Sequence, residues 1–361
     1  MNKVGTRAFG VKLPIIKQGD NLIDIIVNNL KKDTNDCEYQ IGENDVFGLT
    51  ESIVARAYGQ YVTVNDVTNW LVKHFDMNMG HVIIFNPIFS RNRFSIILKG
   101  IARAFHNVTF VMDKIDEVGN NLKHDITKVN YAELYRDICD EESCGVSFLN
   151  FAEFEELSYN FRNTPFIDCT LHPELFTYPW CLADFTNIVE LKDICNECSE
   201  WGLLGSNKMS EELLKLYPDS RYKEFVNDLR LRICEEFSLN NVEVMIYGDG
   251  CFKDADSGIW EFADPVVSPA YTEGLKGGPA ELKLKYLADD EFNNLSGEEL
   301  ENAIKNRIAH KHVEQGEMET QGTTPRKYVN LLGSLMDLVS GSGDKGTPLV
   351  IVQNYFTNYS E

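Results

Sequence analysis

The chain has 361 residues, of which 43% are hydrophobic and 25% are charged, as in an ordinary soluble globular protein. Its 34 basic and 56 acidic side chains give a formal net charge of −22, which argues against binding to nucleic acid or to an anionic membrane. A small anionic ligand is compatible with this charge if a cation, a few basic side chains or backbone N–H groups hold it locally.

The N-terminal sequence contains no uninterrupted apolar run of the kind found in secretory signals, and no run approaches the roughly 18 apolar residues of a membrane span. The nine cysteines are an odd number scattered along a long chain, which favours reduced thiols over a disulfide scaffold. We therefore expect a cytoplasmic protein whose partners include neither nucleic acid nor membrane.

Strand and helix patterns alternate along the first part of the chain. A short extended segment precedes a helix whose apolar face includes Ile26 and Leu30. Strands are predicted at 46–49, at His81–Phe85 and in the sequence NVTFVM, and RFSIILKGIARAF between the last two has helical spacing.

The pattern weakens between about residues 115 and 200, where acidic and aromatic residues are frequent. We predict an inserted subdomain of helices and loops at 115–200, between an N-terminal part at 1–114 and a C-terminal part at 201–361.

The C-terminal part regains clear patterns. An amphipathic helix is predicted from the spacing of Phe225, Leu229, Leu231, Ile233 and Phe237, and the sequence VEVMIY then predicts a strand.

The last helix is predicted to begin with Thr324 as its N-cap and Pro325 in its first turn, and to end at Gly341. Its apolar face is predicted from the three- and four-residue spacing of Val329, Leu332, Leu335, Met336 and Val339. The sequence TPLVIVQNYF then predicts a final strand. Because strands alternate with helices, we predict an α/β protein of mixed α+β character.

The sequence VSGSGDKGTP connects the last helix to the last strand. Its Lys-Gly order and its helix-to-strand direction exclude a Walker A phosphate loop. A glycine-rich turn beside a lysine can hold phosphate oxygens through its N–H groups, and the same residues also suit a helix end followed by a tight turn. Spacing alone leaves both interpretations open.

An acidic stretch follows the strand VEVMIY. Asp249 stands directly after the strand, and further carboxylates follow at Asp254, Asp256, Glu261 and Asp264. Carboxylates at a strand end suit Mg²⁺ binding together with substrate phosphates, whereas an EF-hand is excluded because its sixth loop position is not glycine. An acidic hairpin without a metal is the other interpretation.

Two further groups of residues are candidates for binding. Arg91 and Arg93 follow the strand at His81–Phe85, where they suit either an anionic substrate or surface ion pairs. Cys195 and Cys198 form a CxxC pair without a second pair, so a zinc site is not expected.

Five segments of the chain resemble, in matching order, the coenzyme F(420)-0:L-glutamate ligase family. They are KLPIIKQGDNLIDII, NDVFGLTESIVARAYGQ, GLLGSNK, VMIYGDGCFKD with GIWEFADPVVSPA, and LLGSLMDLVSGSGDKGTPLVIVQ. These segments lie within roughly the first 115 residues and residues 200–361. The chain resembles most closely a longer bacterial branch of the family.

The resemblance implies a two-part γ-glutamyl-ligase-like fold with a central insertion, assembled as a homodimer. It also implies a ligase that uses GTP, or ATP, with Mg²⁺ or Mn²⁺. An acceptor carboxylate, on the deazaflavin coenzyme F(420)-0 or another small anionic acid, would take the γ-phosphoryl group. The amine of L-glutamate would then attack the acyl phosphate. Such a transfer needs cations on the phosphoryl oxygens.

The resemblance also assigns roles to particular residues. The expected nucleotide-binding residues are Leu13, Pro14, Ile15, Ile16, Glu51, Ser52, Arg56, Asn207, Ser340, Gly341, Ser342, Gly343, Asp344, Lys345 and Gly346. The expected catalytic residues are Asp249 and Arg56, and Asp249 is also an inherited metal ligand. Asp254, Glu261 and Asp264 are expected to complete the metal site because they lie in the same acidic stretch as Asp249. Arg91 and Arg93 are expected to bind substrate.

Three positions depart from the family's pattern, and the first is Arg56, which replaces a lysine of the nucleotide segment. Leu204 stands where the family has a metal-binding aspartate, and Gly250 stands where it has a threonine beside Asp249. These changes motivate an alternative function, in which the fold is kept, catalysis is lost and the protein binds a metabolite or nucleotide.

Overall fold

A computed structural model gives the structure of the protein, and it describes residues 4–75, 80–91, 93–116, 119–169, 187–199, 201–204, 206–216, 220–248, 251–253, 260–262, 267–312, 326–341 and 343–360. For residues 251–253, 260–262 and 267 only the backbone is described.

The chain divides into two compact units. Unit 1 comprises Met1–Val54, Ser220–Asp249 and Asp264–Glu361, and unit 2 comprises Ala55–Asp219 and Gly250–Ala263. No helix in the described part of the chain is long and apolar enough to cross a membrane.

The helices and strands are numbered in chain order. The helices are α1 (Leu22–Asn35), α2 (Glu51–Tyr58), α3 (Val64–His74), α4 (Phe94–Ala104), α5 (Tyr131–Glu141), α6 (Phe151–Leu157), α7 (Arg221–Phe237), α8 (Leu284–Tyr286), α9 (Gly297–Ala309) and α10 (Tyr328–Ser340). The strands are β1 (Arg7–Val11), β2 (Val46–Thr50), β3 (Tyr61–Thr63), β4 (His81–Phe85), β5 (Asn107–Val111), β6 (Gly145–Leu149), β7 (Phe166–Asp168), β8 (Ile188–Glu190), β9 (Asn207–Ser210), β10 (Leu213–Lys215), β11 (Glu243–Gly248), β12 (Cys251–Lys253), β13 (Trp260–Phe262), β14 (Val267–Tyr271) and β15 (Leu349–Gln353). The predicted mixed α/β fold is confirmed.

Unit 1 contains a five-stranded sheet in the order β1-β15-β2-β11-β14. β2 and β11 are parallel neighbours, and the other pairs are antiparallel. The apolar runs of β2, β11 and β15 are buried along nearly their whole lengths, as continuous apolar runs in central strands predict. α10 packs on one face of the sheet, where Leu332 and Met336 join Val46, Met245 and Val350 in one core cluster.

The predicted apolar faces of the two long C-terminal helices are largely confirmed. In α7, Phe225, Leu229 and Ile233 are buried, whereas Leu231 is exposed and does not belong to the face. In α10, Val329 and Leu332 are buried at the predicted spacing.

The predicted start of α10 is wrong. The helix begins at Tyr328, and its N-cap Lys327 has an extended backbone and makes no side-chain cap hydrogen bond. Thr324 and Pro325 lie outside the described residues. The C-terminal end is confirmed, because Gly341 follows the last residue of the helix with a positive φ of 60°.

Unit 2 contains a second five-stranded sheet, in which every neighbouring pair is parallel and the order is β6-β5-β4-β7-β8. α4, which is apolar on almost all sides, is buried on almost all sides in the main core of the unit. α6 packs on a smaller cluster, in which Phe154 meets Phe85 and Phe166.

The region predicted as helices and loops also contains the strands β6, β7 and β8, and they extend the sheet begun by β4 and β5. β7 and β8 have three residues each, and the burial of β6 is only partial, so none gives a strong apolar pattern. The division at 1–114, 115–200 and 201–361 stays a prediction.

A smaller antiparallel sheet in unit 2 has the order β3-β10-β9. Its register places Lys215 of β10 between Tyr61 of β3 and Asn207 of β9.

Candidate active site

One edge of the unit 1 sheet collects several of the segments that the resemblance assigns to nucleotide and metal. Leu349, at the start of β15, lies opposite both Val11, the last residue of β1, and Leu49 in β2. Thr50, the last residue of β2, lies beside Tyr247 near the end of the parallel strand β11. The ends of β1, β2 and β11 and the start of β15 therefore lie at the same edge.

Backbone hydrogen bonds join the segments at this edge. The N–H of Leu13, in the proline segment after β1, donates to the carbonyl oxygen of Gly346 at 3.2 Å. The N–H of Thr50 donates to the carbonyl oxygen of Pro348 at 2.9 Å, which ties the end of β2 to the residues before β15. Three predicted nucleotide segments are thereby brought together in unit 1.

The exposure of the side chains in these segments varies. In the proline segment, Pro14 and Ile15 are exposed, with Ile15 at 81%, whereas Ile16 is buried. At the start of α2, Glu51 is buried and Ser52 is exposed. The polar side chain that faces solvent here is therefore Ser52.

The glycine loop after α10 has a defined backbone. Gly341 has φ 60° and ψ −153°, a conformation that is essentially restricted to glycine. The hydroxyl of Ser340 donates to the carbonyl oxygen of Asp337, and the hydroxyl of Thr347 donates to that of Ser340, each at 3.1 Å. Gly346 also has a positive φ, of 67°. The loop therefore needs glycine at two positions.

Lys345 supplies the loop with a positive charge. Its side chain is exposed, and a Cβ placed on Gly341 would lie 2.5 Å from its ammonium nitrogen, so the lysine lies over that glycine. In the described part of the chain its ammonium group has no ion pair or hydrogen bond. A glycine turn with an unpaired lysine suits phosphate oxygens. Of the other predicted residues, Gly343 and Asp344 are exposed and Ser342 lies outside the described residues.

Glu51 packs against the strand end that leads to Asp249. The side chain of Glu51 is buried at the start of α2, and a Cβ on Gly248 would collide with its Cγ. Gly248 is the last residue of β11, so glycine is needed there for this close approach. Asp249 and Gly250 lie outside the described residues.

The side chains of the remaining predicted metal ligands lie outside the part of the chain that the structure describes. Asp254, Asp256 and Asp264 lie wholly outside that part, and for Glu261 only the backbone is described. Elsewhere, in the described ranges, no group of three His, Cys, Asp or Glu side chains is arranged to hold a metal ion.

Unit 2 holds Arg56 and Asn207 near the same end of its small antiparallel sheet. Burial raises the pKa of Tyr61, and the nearby Arg56 guanidinium acts in the opposite direction. Tyr61 lies opposite Lys215, which in turn lies opposite Asn207. Lys215 is only 3% exposed, which is rare for lysine. Sequence reasoning missed it, although a lysine inside the apolar run LLKLY was the available signal.

Leu204 and Ser206 lie in the segment of unit 2 that leads to Asn207. Leu204 is buried in the main apolar core of the unit, so it does not fit a metal ion. Ser206 is 1% exposed, and its hydroxyl has no hydrogen-bond partner among the residues described. An unsatisfied buried hydroxyl is costly, and it marks this segment as a place where a ligand or water can supply the missing bond.

Arg91 and Arg93 lie between β4 and α4 in unit 2. Arg93 is the N-cap of α4, and its side chain makes no cap hydrogen bond. Its backbone N–H donates to the hydroxyl of Ser90 at 3.0 Å. Arg91 is exposed and close enough to Tyr131 for its charge to lower the pKa of the phenol, against a larger raising effect of burial. The structure places both arginines just before α4 in the segment after β4, and their role in binding substrate stays a prediction.

The sheets and helices make this a mixed α/β protein. At one edge of its unit 1 sheet, the glycine loop, the proline segment and the strand ends form a candidate site for a small phosphate-containing molecule. The family model for F420-0:Gamma-glutamyl ligase matches residues 10–354, and the chain belongs to this family. The resemblance seen in the sequence is therefore confirmed. The family is one of ligases, which supports the prediction that the chain is an enzyme. A comparison with curated proteins finds no match.

Proposed function

We propose that this protein is a nucleotide-dependent ligase that joins the amino group of L-glutamate to a carboxylate of a small anionic acid. The phosphoryl donor is GTP or ATP, the divalent ion is Mg²⁺ or Mn²⁺, and the acceptor is coenzyme F(420)-0 or a related acid. The observation that carries the proposal is the meeting of the proline segment, the glycine loop and the ends of β2 and β11 at one sheet edge.

The reaction needs two transfers. A carboxylate oxygen of the acceptor attacks the γ-phosphorus, and the bond from that phosphorus to the nucleoside diphosphate breaks. The amino nitrogen of L-glutamate, once it has lost its proton, attacks the acyl carbon, and inorganic phosphate leaves with the electrons of the C–O bond. The first transfer proceeds mainly by positioning and by stabilising charge on the phosphoryl oxygens.

The chain's own groups suit that demand. Lys345 donates to phosphate oxygens as a point charge, and the backbone N–H groups of the exposed residues 343–346 add donors beside it. Arg56 and Asn207 are proposed to contact the nucleotide as well. Arg91 and Arg93 are proposed to bind anionic groups of the acceptor.

The metal part of the proposal rests on Asp249, which directly follows β11. Leu204 does not fit a metal ion, because its apolar side chain lies in the core of unit 2. A divalent ion bound with the nucleotide phosphates would neutralise phosphoryl charge. In the two transfers, the acceptor supplies the attacking oxygen, the glutamate supplies the attacking nitrogen, and groups of the protein donate hydrogen bonds to the phosphoryl oxygens.

The test is release of inorganic phosphate with GTP or ATP, Mg²⁺ or Mn²⁺, L-glutamate and a panel of carboxylic acids that includes coenzyme F(420)-0. We expect release to require an acid and glutamate together. Asp249→Ala should abolish it, and Asp140→Ala, an exposed aspartate on α5, serves as the matched control. If no nucleotide binds in isothermal titration at millimolar metal, the proposal is wrong.

The buried position of Leu204 favours a second candidate function, a family member that binds nucleotide or metabolite without turnover. This candidate predicts heat of binding in the titration but no phosphate release with any acid in the panel. It is excluded if turnover is found and Asp249→Ala removes it.

We also propose that the protein is a cytoplasmic homodimer, as the family resemblance implies. Light scattering during size-exclusion chromatography measures this directly, and a single monomer peak would contradict it.

A further inference from the structure

The strand order of the parallel sheet in unit 2 indicates where a ligand can bind. Of the five strands in this sheet, β4 comes first along the chain and lies at the centre, β5 and β6 follow on one side, and β7 and β8 follow on the other. This is the doubly wound order 3-2-1-4-5, in which the chain changes sides at the central strand. In open sheets of this kind, ligands bind outside the carboxyl ends of the strands, most often at the crevice where the chain changes sides, which here lies between β4 and β7.

A cavity of about 660 Å³ lies at that edge, beyond the ends of β5 and β6. Its volume is within the roughly 300–1,000 Å³ of small-molecule sites. Apolar side chains form most of its wall, namely Met112, Ile115, Leu122, Ala132, Phe148 and Leu149. Ile115 is 57% exposed although it lines the cavity. The apolar wall therefore has surface to offer a ring system.

Hydrogen bonds fix the loop that follows β5. The N–H of Leu122 donates to the carbonyl oxygen of Lys114 at 2.8 Å, which closes a hairpin-like excursion around Ile115. The buried carboxylate of Asp116 accepts the N–H of Phe89 at 2.8 Å and so ties this loop to the segment after β4. The wall is therefore formed before any ligand arrives.

The aromatic part of the wall is also fixed. The ring of Phe148 stacks on Phe110 with centroids 5.2 Å apart, and the guanidinium carbon of Arg136 lies 5.3 Å from the Phe148 centroid. These two contacts hold the ring of Phe148 in place.

Of the polar side chains that line the cavity, two hydrogen-bond within the capping box of α6 and two have no partner within the described ranges. Asn150 and Glu153 satisfy each other in the capping box of α6, with two hydrogen bonds of 2.9 Å. The side chains of Asp113 and Lys114 are exposed and have no hydrogen-bond or ion-pair partner within the described ranges. Asp113 follows the end of β5 by two residues. One carboxylate and one ammonium group are therefore available at the mouth of an apolar cavity.

We propose that this cavity is a second binding site, for a nucleoside monophosphate. The ring system packs against Ile115, Leu122 and Phe148, the ribose hydroxyls donate to Asp113, and the phosphate accepts from Lys114. An acidic residue near the end of the second strand is where doubly wound dinucleotide-binding sheets hold a ribose, by analogy of fold. The segment 86–93 after β4 contains no glycine, so it lacks the backbone cradle for a pyrophosphate and suits a mononucleotide instead.

The test is isothermal titration of the full-length protein with AMP and with 2′,3′-dideoxy-AMP as probes. Wild type should bind AMP about tenfold or more tightly than the dideoxy compound, because hydrogen bonds to a charged group are lost. Asp113→Ala should weaken AMP to the level of the dideoxy compound and remove the difference between them. Asp137→Ala, an exposed aspartate on α5 outside the cavity, should keep the AMP affinity within about twofold.

The site is distinguished from the ligase loop by Lys345→Ala, which should leave AMP binding within about twofold of wild type. If Lys345→Ala removes AMP binding while Asp113→Ala retains it, AMP binds in the ligase loop and the proposal is overturned. Absence of AMP binding to wild type overturns it as well. Because phosphate release with GTP or ATP is measured on wild type in a separate assay, failure of the ligase proposal is recognised independently.

Discussion

Replacement of Gly341 tests the glycine loop at its most constrained residue. At φ 60° and ψ −153°, any side chain is strained, and an alanine Cβ would lie 2.5 Å from the ammonium nitrogen of Lys345. The end of a lysine side chain moves easily, so the backbone supplies most of the cost, which is about 1–3 kcal/mol. We therefore expect Gly341→Ala to lower the free energy of unfolding by about that amount. The displaced lysine should also weaken nucleotide binding.

Urea unfolding of Gly341→Ala beside Gly343→Ala measures the effect. Gly343 belongs to the same loop, has no positive φ and has open space where a Cβ would stand. Its replacement should change the free energy of unfolding by less than about 0.5 kcal/mol. If the two variants unfold at the same urea concentration and with the same slope, the loop does not hold the constrained conformation. That result would refute the reasoning about Gly341.

Three further predictions concern charge. Lys345→Ala should weaken GTP binding about tenfold or more in isothermal titration without changing the urea midpoint, because the exposed lysine has no partner among the described residues. Leu204→Asp should lower the free energy of unfolding by about 3 kcal/mol or more, and Mn²⁺ should not restore it, since an unpaired charge enters the core; Leu338→Asp, at a position 79% exposed, is the control. Hydrogen bonding, chiefly from Arg103, lowers the pKa of Glu212 from 4.5 to about 2. Between pH 2 and 4.5 the unfolded state therefore binds more protons than the folded state. The stability that ionised Glu212 contributes is complete above pH 4.5 and is lost as the pH falls towards 2. Arg103→Ala should flatten the dependence of unfolding on pH there, and an unchanged slope would contradict the assignment.

Local patterns were enough to predict much of unit 1. β2, β11, β15 and α10 each have the apolar spacing of their class, so their residues identify the elements without knowledge of their partners. The glycine loop was located by its glycines and lysine between a helix and a strand, although spacing alone fitted a helix end with a tight turn as well as a phosphate loop. The meeting of four strand ends at one edge depends on register, which only the structure gives.

Unit 2 was harder to predict because its sheet joins segments far apart in the chain. β4 pairs with β7, whose register brings Ile83 beside Phe166, and the short β7 has no periodicity of its own. Its burial is set by neighbours that the sequence does not place next to it. Lys215 was missed for a related reason, since a lysine is expected on the surface unless the partners that bury it are known.

Both proposed functions include binding of a nucleotide or metabolite, but only the ligase transfers a phosphoryl group. The glycine loop can serve both functions, because Gly341 and Gly346 have positive φ and Lys345 has no ion pair or hydrogen bond within the described residues, an arrangement that suits a phosphate whether or not it is transferred. Leu204 lies in unit 2, and the change there removes one metal ligand expected from the family without altering the residues of the loop in unit 1. Nucleotide binding without phosphate release for any acid in the panel would therefore support the binding function, whereas absence of binding would contradict both functions.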